Sequence, residues 1–460
     1  MTVQVGPTAA MRRRDLLVCA MVAGVSLIVY GLTLAPSLTW SHWGSDGGDL
    51  IAAAVTGRVP HPPGFPVYIA VASGFLKLVG GDPATALNGL SAVAAAGTAA
   101  IVTAIVMAAG CGGWVASSSA LSGAFASWVW SQAVITEVYT MAALLASIAV
   151  LLAVLARQKG SVGAWFGAGL AFGLAVSTHL TVALLAPAIL LSRGIRWRAL
   201  LAGWLFGLVP YGLLVFRGVW PQPWGDLRSL GAWIDFVSAR LYWGNAFALP
   251  LVHWPRRLVA WGALLSRQFT APGLLLACVG LAQLWRRTRL EAIGLSVTFG
   301  LASVYAITYN SADSWVYLVA FLPLLAVALG HGLQWAVGRG VPQAFTIVLP
   351  AALLLLNWPN MNLRRSNDAR QWLDATLPKV PAQAVVVTRE DEHTFALWYA
   401  TEALGLRDDL LVVDQRLLPY PFYQAYLTEV RGVAAGEPEK LVIQGRTLCE
   451  IDVQGELLCR

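Results

Sequence analysis

SDGGDLIAAAVTGRVPHPPGFPVY, residues 45–68, follows the first long apolar run of the chain and sets two carboxylates and a histidine among four prolines. The fold depends on whether this polar segment interrupts a soluble core or caps a membrane helix. Composition decides between them. Of 460 residues, 57% are hydrophobic and 12% charged, too little polar surface for a soluble protein of this length. The net charge of +7 is spread in short clusters between apolar runs, with no basic face interleaved with aromatics, so nucleic-acid binding is not expected.

Only a helix satisfies its own backbone in lipid, and about 20 apolar residues span the hydrocarbon core. Runs near 15–35, 85–108, 114–131, 138–156, 162–178, 180–192, 199–216, 271–285, 291–308, 316–335 and 342–357 predict a polytopic α-helical membrane protein with about 11 transmembrane helices. The first run is longer than a secretory signal and is expected to be an uncleaved anchor. Basic clusters at Arg12–Arg14, before the first run, and in alternate loops at Arg157 with Lys159, Arg193 with Arg196 and Arg198, Arg286 with Arg287 and Arg289, and Arg339 fall on one side of these runs. A cytoplasmic N-terminus puts all of them inside, as the positive-inside bias requires.

That threading makes 1–357 a transmembrane module, with a first outer loop at 36–84 and a long Trp-rich outer loop at 217–270. Residues 358–460 become a small extracytoplasmic domain, which carries close to half of the charged residues. Helical patterns at 367–376 and 393–404 alternate with apolar strands at 384–388 and 410–413, so the domain is α/β. CEIDVQGELLC, residues 449–459, reads as a hairpin, and a Cys449–Cys459 disulfide suits an oxidising compartment.

The same threading gathers Asp46, Asp49, Glu137, His179 and Asp313 on the outer face. Each has an ordinary structural explanation: Asp46 as a helix N-cap, Asp49 in a first helical turn, Glu137 as a cap or an arginine's partner, His179 as a satisfied interfacial histidine. Several ionisable groups on one face of a membrane protein nevertheless favour a site. HPPGFP, residues 61–66, is expected to form a stiff corner. Gly64 would take a special backbone angle, Pro66 would open an interfacial helix, and the corner would either aim His61 at a ligand or simply fold the loop. No phosphate loop, dinucleotide fingerprint, HExxH or paired CxxC occurs.

The order DGGDLIAAA, HPPGFPVY, SQAVITEVYT, STHLT, DSWVYLVAFLP and ALWYATEALGLRDDLLVV resembles the membrane family related to protein O-mannosyltransferases, within the GT-C class of glycosyltransferases. The resemblance implies a GT-C-like enzyme that takes a sugar, mannose first, from a polyprenyl-phosphate carrier. It would transfer that sugar with inversion to a protein or glycan hydroxyl on the outer membrane face. It further implies that Asp46 is the base, that Asp49 stands where relatives commonly carry Glu, and that no metal cofactor is required, although Asp46, Asp49 and Glu137 together could hold a divalent cation. Tyr68 and Tyr139, inside the shared motifs, join His61, Glu137, His179 and Asp313 as substrate-binding residues. Arg217, Arg240 and Arg267 are candidates for the lipid phosphate. Composition points to a bacterial plasma membrane. The alternatives are a transporter or flippase, for which the spans lack buried charge and an inverted repeat, and a noncatalytic scaffold.

Overall fold

The computed structural model describes residues 12–432 and 446–459. Apolar helices occupy every predicted run, and eight are long and apolar enough to cross a membrane. The chain is an integral membrane protein. Three runs depart from simple spans. Residues 114–131 form two helices, Gly113–Ala124 and Ser127–Ala133, separated at Phe125 and Ala126. The helices Val162–Thr178 and Ala186–Leu190 are shorter than a full crossing. The second half of the expected long loop is helical: Trp254–Arg287 has 34 residues and breaks direction at Thr270, where φ is 59°. At 1.5 Å per residue the pieces on either side of the break measure about 24 and 26 Å, each close to a hydrocarbon core of about 30 Å.

Close helix crossings are built on glycine. Val162–Thr178 meets Trp197–Leu213 at Gly169, Gly173, Gly203 and Gly207, and a Cβ on Gly203 would stand 2.0 Å from the Phe166 carbonyl oxygen. Lipid gives little hydrophobic drive between helices, so close backbone contact of this kind supplies the packing.

The bundle has two unlike ends. At one, Gln158 bonds the Ala108 carbonyl, Gly112 bonds Gln334, and Arg157 pairs with Glu291, in the company of the basic clusters. At the other, Ala35 bonds Val134, Thr85 bonds the Pro36 carbonyl and Leu363 bonds Thr33. The polar segment 45–68 belongs to this second end. It forms a helix, Gly47–Thr56, then the proline corner, then the helix Pro66–Val79. Gly64 takes φ 86° and Pro66 opens the second helix, as the sequence predicts.

The C-terminal residues fold as α/β. The strands β1 (Val385–Thr388), β2 (Leu411–Asp414), β3 (Leu448–Ile451) and β4 (Leu457–Cys459) form one sheet in the order β2-β1-β3-β4. β1 runs parallel to β2 and β3, while β4 returns antiparallel with Cys449 opposite Cys459. Those cysteines are disulfide-bonded. The helix Asp391–Trp398 lies directly on Gly47–Thr56: a Cβ on Gly48 would meet the Phe395 carbonyl oxygen at 2.2 Å. Further contacts clamp the domain to the first loop. Asp368 accepts from Thr39 at 2.7 Å and from the Trp40 backbone at 2.9 Å, and Tyr399 donates to Asp82 at 2.7 Å.

Candidate active site

Asp46 and Asp49 sit one helical turn apart and live in different surroundings. Asp46 occupies the N-cap position of Gly47–Thr56, yet its side chain makes no capping bond. The capping explanation is therefore removed. Its carboxylate keeps 35% exposure and faces His61 Nε2 at 3.5 Å. Just upstream, His42 and Trp43 hold left-handed backbone angles, φ 60° and 66°, which turn the chain into the site. Such angles are uncommon for residues with a Cβ and gather at functional positions.

Asp49 has no solvent exposure. It accepts from Arg58 Nη1 at 2.7 Å, from the His61 backbone at 2.8 Å and from Trp224 Nε1 at 3.3 Å, and it lies 2.8 Å from His61 Nδ1. With its oxygens occupied and no solvent contact, it has no room to touch a substrate. The catalytic assignment thus divides: Asp46 is reachable, and Asp49 holds the imidazole. Because Asp49 fixes Nδ1, His61 can present only Nε2 to Asp46. Phe395 stacks on the ring at 6.2 Å and 7°, and Trp224 meets its edge at 5.9 Å.

Electrostatics separate the three groups further. Burial, opposed by His61 and reinforced by Asp391, Asp313 and Asp49, raises the Asp46 pKa to about 6; solvent at its exposed edge softens that shift. Burial pushes Asp49 upward too, but Arg58 and His61 outweigh it and hold its pKa at about 2. For His61, burial is overcome by Asp46 and by the bond to Asp49, and the pKa rises to about 9. At neutral pH the centre is an imidazolium between two carboxylates.

Glu137 lies 2% exposed in the turn before the helix Tyr139–Lys159. The preceding Thr136 packs on Gly47. Burial first, then Asp46, holds the Glu137 carboxyl well above its ordinary value. Tyr68 is buried near it, and its hydroxyl has no hydrogen-bond partner among the described residues. His179 Nδ1 lies 2.7 Å from the Thr181 hydroxyl, and the ring contacts Phe65, Tyr139 and Tyr317 at 5.7, 5.1 and 5.7 Å. Phe65 in turn packs on His61 at 4.9 Å, so one aromatic wall joins the two histidines. Burial, aided by the His61 charge, lowers the His179 pKa to about 3, and this histidine is neutral. Asp313 accepts from Ser311 and is near enough to repel Asp46.

The predicted arginines do not converge. Arg240 is exposed and pairs with Asp235 at 2.9 Å. It lines a cavity of about 440 Å³ together with Pro62, Trp224, Asp226, Phe236 and Phe422, beside the His61 corner. Arg267 is exposed on the helix Trp254–Arg287 and has no hydrogen bond or ion pair to the acidic cluster. Arg217 is half-buried, with Nε unpartnered, and meets Gln222 only through its backbone carbonyl. Two arginines that sequence reasoning passed over make the contacts. Arg58 binds Asp49, and Arg257 binds Ser314 at 3.2 Å and the Ser311 carbonyl at 2.8 Å in the loop that carries Asp313. A buried aspartate calls for a nearby cation, and Arg58, inside the quoted stretch, was the available signal. Among the described residues no group of three or more His, Cys, Asp or Glu is arranged to hold a metal.

Residues 46–198, which open at Asp46, match the family described as Protein O-mannosyl-transferase TMEM260 N-terminal domain. That stretch holds Asp46, Asp49, His61, Tyr68, Glu137, Tyr139 and His179. The chain is related to the protein O-mannosyltransferases. The mouse Protein O-mannosyl-transferase TMEM260 is 24% identical over 449 residues, covering 86% of this chain and 62% of that relative. The chain thus spans under two thirds of the length of the O-mannosyltransferase it matches. In fold, it resembles ArnT from Cupriavidus metallidurans in the apo state, with a TM-score of 0.61 at 15% identity over 94% of this chain and 92% of that one. ArnT bound to undecaprenyl phosphate gives 0.53 at 15% identity, with 92% and 96% covered. The Archaeoglobus fulgidus oligosaccharyltransferase gives 0.54 at 12% identity, with 94% and 67% covered. The architecture fits the polytopic GT-C membrane fold.

Proposed function

We propose that the chain is an inverting glycosyltransferase that moves a sugar, mannose first, from a polyprenyl-phosphate carrier to an acceptor hydroxyl, that of a protein first. The observation that carries the reading is the reachable Asp46 carboxylate, free of any capping bond and 3.5 Å from a histidine whose other nitrogen is fixed by a buried aspartate. The relation to protein O-mannosyltransferases and the likeness to ArnT, one of whose structures holds undecaprenyl phosphate, support the substrate class.

The acceptor oxygen attacks the anomeric carbon while Asp46 removes the hydroxyl proton, and the bond to the lipid phosphate oxygen breaks with its electrons on that oxygen. Attack opposite the leaving phosphate inverts the anomeric carbon. A base with a pKa near 6 is ionised at neutral pH yet basic enough to take the proton. His61, held cationic by both carboxylates, orients Asp46 and offers a positive edge to developing charge. The phosphate leaves without strong acid assistance but needs cations. Arg257, tied to the Asp313 loop, suits that task better than the isolated Arg267. No step requires a metal.

We place the reaction on the extracytoplasmic side of a bacterial plasma membrane, with about 11 helices crossing and the N-terminus inside. The basic clusters lie at the bundle end opposite Asp46, and the Cys449–Cys459 bond on the Asp46 side suits an oxidising compartment. The protein reconstituted in liposomes with polyprenyl-phosphate mannose and acceptor peptides should release polyprenyl phosphate and yield mannosylated peptide, both read by mass spectrometry. An intact donor with this and other polyprenyl-phosphate sugars would contradict the reading. A Ser45→Cys variant should react with an impermeant maleimide in intact cells; reaction only after permeabilisation would place the site inside.

A further inference from the structure

The C-terminal domain reaches the centre through one buried chain of contacts. Glu402, in the turn Tyr399–Ala403, accepts from Arg58 Nε at 2.7 Å, and the same guanidinium donates from Nη1 to Asp49 at 2.7 Å. Its planar group lies over the Trp398 ring at 4.7 Å, and the arginine is 8% exposed. Arg58 is therefore fixed on three sides, two of them supplied by the C-terminal domain, with Glu402 lying 344 residues further along the chain. Asp49 then binds His61, whose far nitrogen faces Asp46. A guanidinium shared between two carboxylates divides its field between them, so the pull of Glu402 on Arg58 sets how strongly Asp49 can hold the imidazole.

We propose that the C-terminal domain is part of the catalytic centre, with Glu402 and Arg58 as positioning residues that act through Asp49 to fix the His61 ring against Asp46. This rests on the glycosyltransferase reading for its purpose but not for its test. An undocked domain would leave Arg58 without Glu402 and Trp398, and His61 without its stacking partner Phe395. The site is thus complete only when the domain is seated, which makes the domain a means for an acceptor or partner to influence transfer.

The charged and titratable groups that face His61 are Asp49 from its own corner, Asp46 from the helix start, Asp391 from the C-terminal domain and Tyr242 from the long loop, with His179 beyond Phe65. Asp391 is paired with Arg416 at 2.5 Å. Of these, only Asp49 is linked to Glu402 through Arg58. Glu402→Gln keeps the shape of the side chain and removes its charge. Arg58 then serves Asp49 alone, Asp49 holds the imidazolium less strongly, and a nearby negative charge is lost. Both effects act in the same direction.

The test is an NMR titration of His61 in the full-length protein, labelled at histidine in nanodiscs and assigned with His61→Gln. Glu402→Gln should lower the His61 midpoint by about half a pH unit or more. Glu402→Asp, which keeps the charge, should retain most of the wild-type value. Asp82→Asn, which cuts the Tyr399 contact between the same two regions without touching the relay, should leave the midpoint unchanged. If the Gln variant titrates like the wild type, or Asp82→Asn shifts His61 equally, the proposal is overturned. Where the Gln variant does not insert, Glu402→Ala, which removes the same charge and leaves no buried amide to satisfy, takes its place: a His61 midpoint equal to that of the wild type overturns the relay. The titration requires no turnover, so an inactive wild type with the expected shift would fail the glycosyltransferase reading and leave the relay standing.

Discussion

The recess around Asp46 and the pocket around Asp49 contain the same side chain one helical turn apart, and they treat it in opposite ways. Around Asp46 there is an opening to solvent and one histidine, and burial with the like charges of Asp391, Asp313 and Asp49 raises its proton affinity. Around Asp49 there is a guanidinium, a backbone N–H, an imidazole and an indole, so the charge is locked in. A membrane protein can thus keep two carboxylates side by side and reserve one for chemistry and the other for architecture. The difference comes from what the distant chain brings: Trp224 and Glu402 reach the Asp49 side and leave the Asp46 side open.

The comparison is most easily broken at the buried end. Asp49→Ala leaves Arg58 buried with one carboxylate missing, and should lower stability by about 3 to 5 kcal/mol, measured by denaturant unfolding in detergent. Asp46→Ala, at a side chain with no hydrogen bond of its own to the fold, should stay within about 0.5 kcal/mol. Equal losses would erase the distinction. Next in size, Gly48→Ala drives a methyl into the Phe395 carbonyl and should cost about 1 to 3 kcal/mol, with earlier proteolytic release of residues beyond 361. Unchanged stability would show that the domain seats more loosely than the contact implies.

The comparison also sharpens in pH. Asp46 acts as a carboxylate and its pKa is raised, so activity should be lost as pH falls through about 6. His61 acts as a cation with a raised pKa, so activity should be lost as pH climbs through about 9. Between those limits transfer should vary little, and beyond either it should fall about tenfold per pH unit. A profile whose acid limb lies near 4 would return Asp46 to an ordinary surface carboxylate.

Much of this was legible in the sequence because local pattern carries it. Apolar runs marked the helices, AVVVT and LLVV gave β1 and β2, and the spacing of Cys449 and Cys459 around Gln454-Gly455 gave the hairpin. The proline corner and the grouping of Asp46, His61, Glu137 and His179 followed from chain direction alone. What stayed hidden depends on long-range packing. The Arg58–Glu402 pair joins residues 344 apart, and no periodicity reports it. Arginines chosen by loop position missed Arg257, because the helix that carries it begins well before the membrane run. The break at Phe125 and Ala126 has no proline or charge to mark it. The paired GxxxG patterns at Gly169–Gly173 and Gly203–Gly207, by contrast, stood in plain sight as a helix crossing and were not read.

The decisive measurement is sugar transfer by Asp46→Asn, assayed with saturating polyprenyl-phosphate donor alongside its thermal unfolding and donor binding. Transfer should drop by about a hundredfold to ten-thousandfold while folding and donor affinity remain those of the wild type. A variant that still transfers sugar at the wild-type rate would show that the reachable aspartate is not the base.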